Sequence, residues 1–288
     1  MKLTNIFSLP DAIVKAIAND SYNAGPCDIS CTRLVDSPRK VALEVQHAKD
    51  LVEDVSDRIW SLFGQSIHTI LERADSTPAL KENRLTMTRQ NWVISGQFDR
   101  FVVADGLLQE YKTTSVFAVK DECRQSWQTQ MNVLAHLLRE HGYTVVKLQV
   151  CAILRDWRRS QADRTQDYPI SPVLTIDIPL WTPEKAEDWI DTAVRKHQAA
   201  RTELPECEDR WETPTTYALM RTGRKTAVRV YDNQIDADNA LVAAGPNHEL
   251  ICRRGRNLRC EQYCSVRDYC TQYQSYAQTA EKEMSTSA

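Results

Sequence analysis

The chain has 288 residues, 42% hydrophobic and 26% charged, with a formal net charge of -3. That is globular composition, long enough for one large domain or two smaller ones with a substantial core, and it excludes a uniformly basic nucleic-acid binder without excluding a local basic patch. No stretch approaches the roughly 18–20 apolar residues of a membrane span, and the opening MKLTNIFSLP lacks the apolar run of a secretory signal, so the expected setting is the cytoplasm, with no membrane partner.

In chain order, residues 8–19 have the spacing of a short amphipathic helix. Residues 30–43 read as two helical turns broken at Pro38. Residues 57–74 form a helix whose apolar stripe is Ile59, Phe63, Ile67, Ile70 and Ala74. The period then changes. RLTMTRQ, WVISGQFDRFVVA and LLQEYKTT, between residues 84 and 114, alternate as strands, and Asp105-Gly106 marks a tight turn between the last two. A helix follows over 121–141, then strands over 145–157 and 172–180, then a helix over 183–203 with Pro183 in its first turn. Beyond 204 the periodicity weakens; a strand is expected at Ala227–Tyr231, and the end after about 275 reads as a disordered tail.

This order brings particular side chains together. Glu110 and Lys112 are two apart in a strand and share a face. The turn at Asp105-Gly106 folds Asp99 back beside Glu110. Two carboxylates among apolar neighbours such as Phe98, Phe101 and Leu108 are costly to bury without a cation. Mg²⁺ or Mn²⁺ takes oxygen ligands and offsets that cost, and the backbone carbonyl of Tyr111 offers another oxygen. Such an ion acidifies a water and neutralises charge on a phosphate, while Lys112 orients the water or stabilises developing charge. The bland alternative is a surface ion-pair cluster on an amphipathic hairpin. Two neighbours weigh against it. His68 sits at the edge of its helix's apolar stripe, one turn after Gly64, which leaves room beside it. Gln130 falls in the middle of the apolar face made by Trp127, Met131, Leu134, Leu137 and Leu138, where a buried amide needs partners.

The ordered set Gly64-xxx-His68, Gly96-Gln-Phe-Asp99, Glu110-Tyr-Lys112 and Gln130 resembles the RecB-like branch of the PD-(D/E)XK nuclease superfamily, nearest to CRISPR-associated RecB-like exonucleases and phage-encoded iron–sulfur nucleases. Ile29-Ser30-x-Thr32-x-Leu34 with Pro38-Arg39 resembles the family's N-terminal element. The resemblance implies an α/β restriction-endonuclease-like core, a central mixed sheet flanked by helices. It implies His68, Asp99, Glu110 and the Tyr111 carbonyl as metal ligands, Lys112 as the catalytic lysine, and Gln130 as the glutamine of a Q-xxx-Y motif. The fourth residue on is Leu134 rather than Tyr, a departure that bears on substrate contact and not on the fold. The implied domains are a helical element at 1–56, the nuclease core at 57–203, a cluster-binding segment packed on the core at 204–274, and the tail at 275–288.

Four of the nine cysteines, Cys252, Cys260, Cys264 and Cys270, crowd into the last forty residues. In a reducing compartment that pattern reads as a metal or iron–sulfur site. Relatives often hold an iron–sulfur cluster by three C-terminal cysteines and one remote cysteine, whose place here is taken by Ser37. The fourth thiolate is assigned to Cys207, with Cys252 the nearest alternative and Cys31 a third. Four cysteines suit either [4Fe–4S] or Zn²⁺; the resemblance favours the cluster.

Arg155, Arg158 and Arg256, with Trp157 and Tyr263 interleaved near them, suit a groove that tracks a phosphate backbone and stacks bases. The resulting expectation is a Mg²⁺- or Mn²⁺-dependent deoxyribonuclease. It would act as an exonuclease on single strands or duplex ends in phage or bacterial recombination, repair or spacer processing, with an oligomer or a recombination or CRISPR-adaptation protein as partner. The rival is a DNA-binding adaptor that keeps a nuclease-like fold and a structural zinc or iron–sulfur site.

Overall fold

The computed structural model describes residues 2–20, 24–74, 78–119 and 124–286. The chain divides into two compact units, one of residues 1–42 and 48–205 and one of residues 43–47 and 206–288.

In the first unit, β1 (Lys2–Thr4) is followed by α1 (Asp11–Ala18), β2 (Ile29–Ser30), α2 (Cys31–Leu34), α3 (Pro38–Gln46, shared with the second unit) and β3 (Val52–Asp54), which pairs in parallel with β1. Then come α4 (Ile59–Ala74), β4 (Leu80–Arg89), β5 (Trp92–Val102), β6 (Leu107–Thr114), α5 (Arg124–Glu140), β7 (Lys147–Leu154), α6 (Arg159–Ala162), β8 (Val173–Ile178) and α7 (Pro183–Ala199). Pro38 opens α3, where its missing N–H costs nothing. Thr182 caps α7 by accepting from Lys185 N–H, and Pro183 follows as the first helical residue. Residues 121–123 of the expected 121–141 helix lie outside the described residues.

The central sheet is mixed, with order β2-β5-β6-β7-β8 and β4 on the other edge of β5. β6 and β7 are parallel, joined by the α5 crossover; β5–β6, β4–β5 and β7–β8 are antiparallel. This is the expected mixed α/β core. The residues expected to form a separate helical element at 1–56 contribute β2 to that sheet, because Ile29 and Ser30 pair with Ile94 and Ser95.

One edge of β5 is discontinuous. β4 occupies the other edge from Trp92 to Phe101. On this edge β2 pairs only with Ile94 and Ser95, and β6 only with Arg100, Phe101 and Val102. The four residues between, Gly96–Asp99, face a notch. The core behind it is dense: Phe98, Phe101, Leu108, Leu134, Leu137 and Leu138 are all buried. Gly96 lets α5 approach closely, since a Cβ there would lie 2.5 Å from Leu137 Cδ1 and 2.7 Å from Leu134 Cδ2.

The second unit holds β9 (Thr216–Arg221), β10 (Arg229–Tyr231), α8 (Gln234–Ala244) and β11 (His248–Arg253), an antiparallel sheet of order β10-β9-β11. A π-helical turn (Arg259–Tyr263), a 3₁₀ turn (Arg267–Tyr269) and α9 (Thr271–Thr286) follow. The helix α9 runs through most of the stretch whose composition suggested a disordered tail. Within this unit, His47 stacks on Tyr269 with ring centroids 4.0 Å apart, and Ser265 donates to Glu44. Among the described residues no helix is long and apolar enough to cross a membrane.

Gly96→Val is expected to cost about 1–3 kcal/mol of stability through overpacking. The double variant with Leu137→Ala should recover part of that loss because the two sites share one space. Urea midpoints of the two single variants and the double variant measure both effects.

Candidate active site

The β5–β6 ladder stops at Arg100 and Gln109. Beyond it the strands separate, and the Asp99 carboxylate enters the notch, where Oδ2 accepts the Tyr111 N–H at 2.6 Å. Two residues of β6 point to the same side. Glu110 is 4% exposed. Its Oε1 accepts from Lys112 Nζ at 2.8 Å and from Gln130 Nε2 at 3.2 Å. Gln130, on α5, also accepts from Lys112 through its own Oε1 at 3.1 Å. One amide thus holds both partners of the ion pair, which answers what a half-buried glutamine is doing in an apolar helix face. The other oxygen of Glu110, Oε2, is buried without a hydrogen-bond partner. A buried carboxylate oxygen left unpaired is costly, and a cation beside it would supply what it lacks.

His68 comes from α4. Its Nε2 lies 3.0 Å from the Tyr111 carbonyl oxygen, and its Nδ1 lies 3.2 Å from Asp99 Oδ1 and 3.6 Å from Glu82 Oε1. The histidine approaches this closely because α4 sits against the end of β6: a Cβ at Gly64 would be 3.1 Å from Thr113 Oγ1. The carbonyl takes one ring N–H and the carboxylates take the other, so the ring is held as an imidazolium. Burial opposes that charge, but the hydrogen bonds that the ring donates to Asp99 and Glu82 outweigh burial and push the pKa up to about 10. Burial pushes the Glu110 carboxyl above its usual range, with Lys112 opposing, and holds the Cys31 thiol up as well. Burial would lower Lys112, but the Glu110 charge outweighs it and keeps the amine protonated.

Glu82 is the residue that sequence reasoning missed. It lies on β4 with φ +47°, in the left-handed region that non-glycine residues seldom adopt. Its neighbours Lys81 and Asn83 pair with Arg100 and Phe98, so Glu82 stands opposite Asp99 where the ladder lapses. Its Oε2 accepts from Gln97, whose Oε1 accepts from Arg84 at 2.5 Å. Burial would raise its pKa, yet the hydrogen bonds to His68 and Gln97 hold the carboxyl below its usual range. Among the described residues, His68, Glu82 and Asp99 are the one set of three metal-type ligands with donor atoms all within 4.8 Å of one another. The signal that could have found Glu82 is the β4–β5 turn. Gln90 and Asn91 both have positive φ, the two-residue turn of a tight hairpin, and counting back equally from it places residue 82 across from Asp99.

The cysteines gather in the second unit. Cys260 lies on the π-helical turn and Cys264 and Cys270 follow it. The Cys207 N–H donates to Gln272 Oε1 at 2.8 Å, which ties Cys207 to the first turn of α9, next to Cys270. Burial pushes the Cys260 thiol up to about 11, and the neighbouring Cys207, Cys264 and Cys270 sulfurs add to the effect. Cys252 is exposed on β11 opposite Tyr217. Cys31 is buried in the first unit with its thiol toward the Gln130 carbonyl.

Of the arginines, Arg155 lies over the Trp60 ring, 4.5 Å from its centroid. Arg158 is exposed at the start of α6. Arg256 is ion-paired with Glu261, which also accepts the Asn257 N–H and the Tyr276 hydroxyl.

Neither a protein-family model nor a curated protein matches this chain. Several solved structures are similar to it, three of which are the following. SSO0001 shares 14% identity over 67% of this chain and 87% of its own, with a TM-score of 0.48. A phage-related exonuclease from Haemophilus somnus 129PT shares 15% over 60% and 92%, TM-score 0.37. A protein described as an exonuclease from Eubacterium rectale shares 14% over 62% and 71%, TM-score 0.33.

The imidazolium of His68 gives a pH prediction for the metal-free protein. A folded pKa raised to about 10, above the usual value of about 6.5, contributes stability that is fully present below about pH 6.5 and is lost as pH rises through about 10. In EDTA, the stability advantage of wild type over His68→Asn should follow that course when urea midpoints are taken across the range. A gap that does not change with pH would mean that the ring is uncharged.

Proposed function

We propose that this chain is a divalent-metal-dependent deoxyribonuclease of the RecB-like PD-(D/E)XK kind. The observation that carries the reading is the buried Glu110 carboxylate, with one oxygen on Lys112 and Gln130 and the other unpaired, beside Asp99 and the Tyr111 carbonyl. Asp99, Glu110, the Tyr111 carbonyl and His68 would hold Mg²⁺ or Mn²⁺, and Glu82 joins them as a further carboxylate. When bound, the ion acidifies a water and neutralises charge on the scissile phosphate. His68 must give up a proton to ligate, so its deprotonation belongs to loading. Lys112, kept charged by Glu110, places a fixed positive charge where negative charge builds on the phosphate oxygens. Gln130 fixes the directions of both Glu110 and Lys112, which is positioning rather than chemistry. Water oxygen bonds to phosphorus, the bond to the departing sugar oxygen breaks, and one of the two protons of that water ends, through solvent, on the departing oxygen. Arg155 and Arg158 are the proposed phosphate contacts; Arg256 has its charge offset by Glu261 and braces its own loop.

The test is a nuclease assay with Mg²⁺ and with Mn²⁺. Asp99→Asn and Lys112→Ala should each lower the rate by about 100-fold or more, and EDTA should abolish it. Activity that survives both substitutions refutes the assignment and favours an adaptor role.

For the second unit, the reading is a [4Fe–4S] cluster on Cys207, Cys260, Cys264 and Cys270. What supports the grouping is that Cys207, Cys264 and Cys270 all act electrostatically on Cys260 and that Cys207 is tied to the start of α9 beside Cys270; the choice of iron–sulfur over zinc rests on the family resemblance. Anaerobically purified protein should be brown, carry iron rather than zinc, and lose both colour and iron on Cys207→Ala but not on Cys252→Ala. A colourless zinc protein removes this part of the proposal.

A further inference from the structure

The helix α4 is apolar where a core helix would be apolar, and yet none of its residues is buried. The stripe expected to pack inward is open instead: Phe63 is 40% and Ile70 52% exposed, and Trp60 beside it is 54% exposed. Isolated exposed apolar residues are ordinary. These are not isolated. Trp60 and Phe63 stand edge to face with centroids 6.3 Å apart. The Arg155 guanidinium lies 4.5 Å from the Trp60 centroid.

The position of this group in the fold is equally specific. Gly64 brings α4 against Thr113, the residue after Lys112. The Arg155 N–H donates to the Thr114 carbonyl at 2.8 Å. Trp60 and Phe63 precede His68 on one helix by eight and five residues, about 12 and 7.5 Å along its axis. Among the described residues no carboxylate pairs with Arg155, and its neighbour Asp156 is engaged by the Val116 N–H. The opposite flank of α4 lies against α1, with Ile17 buried and Gln65 donating to Asp20, and Trp60 and Phe63 stand on an exposed part of the helix.

We infer that Trp60 and Phe63 form a stacking platform for unpaired bases of a single-stranded nucleic acid, with Arg155 on the adjoining phosphate. This rests on the nuclease reading and narrows it from single strands or duplex ends to a strand with unpaired bases at the site. An apolar protein partner would fit the rings but gains nothing from a guanidinium over Trp60. A nucleic acid uses both, because every base has a π-face and every link has a phosphate. In a duplex the bases are already stacked on one another, so only an unpaired base can cover Trp60.

The experiment measures binding in EDTA, where no cleavage occurs, by fluorescence anisotropy. The probes are a labelled mixed-sequence single strand, the same strand with abasic sites, and a blunt hairpin. Trp60→Ala should weaken single-strand binding about 10-fold, the size of one lost base stack, and change hairpin and abasic-strand binding by less than about 2-fold. Trp60→Phe keeps a ring and should restore most of the loss. Phe63→Ser should repeat the pattern at the second ring, so instability of one variant does not blur the result. Equal losses on all probes, no loss on the single strand, or a wild-type dimer that Trp60→Ala converts to monomer would each overturn the platform. The two readings fail separately. Probe discrimination without Mg²⁺- or Mn²⁺-dependent cleavage removes the nuclease and keeps the platform; cleavage without discrimination does the reverse.

Discussion

Glu110 is a carboxylate placed where water is all but absent, and such a group is expensive to bury. Lys112 and Gln130 compensate one of its oxygens. The second oxygen has no partner. Around it the chain has collected two more carboxylates, Asp99 and Glu82, and a second cation, the His68 imidazolium. Three carboxyl groups thus stand among two bases, with burial holding the Glu110 carboxyl above its usual range. A structure selected for stability alone would replace this group with apolar residues of similar volume, an exchange that is often neutral or favourable. Its presence fits the metal site proposed above.

The cradle is a product of how strands meet. β5 is paired along one edge by β4, but along the other it is shared between a two-residue parallel strand and the start of an antiparallel one. Between them the backbone is left open, and Asp99 fills the opening with its side chain. Phe98 and Phe101 on the same strand anchor the core, so the carboxylate is fixed by packing on one side and free to act on the other. Glu82 reaches the same opening from β4 through a left-handed backbone that interrupts the ladder opposite Asp99. Strained backbone of this kind persists only where its surroundings dictate it, and here the contacts with Gln97 and His68 do so.

Much of this was readable in the residues. Alternation placed Glu110 and Lys112 on one face, and Asp105-Gly106 announced the turn that returns Asp99 to them. The stripe from Met131 to Leu138 identified the core helix, and Gln130 stood out as the polar residue within it. The rest escaped for particular reasons. The Gln90-Asn91 turn contains no glycine, so nothing marked it, and without it Glu82 could not be set opposite Asp99. α8 is rich in alanine and carries no clear apolar stripe, and β9 and β11 flank it without strong alternation. In α4 the periodicity was right about the helix and silent about what covers its apolar face, because hydrophobic spacing reports a face and not a neighbour. The proposed preference for Cys207 over Cys252 does not come from spacing either; it leans on Gln272, a contact across many residues.

The charge on His68 has an implication for how the protein lives with scarcity. Many metal sites are assembled only by the ion, so chelation unfolds them. Here the imidazolium stands among the carboxylates as a resident counter-ion, bonded to the same Tyr111 carbonyl and the same Asp99 that the metal would use. The chain therefore carries its own placeholder. On the proposed metal-dependent reading, the ligands would already stand in register before any divalent ion arrives, and loading would amount to exchanging a proton for an ion.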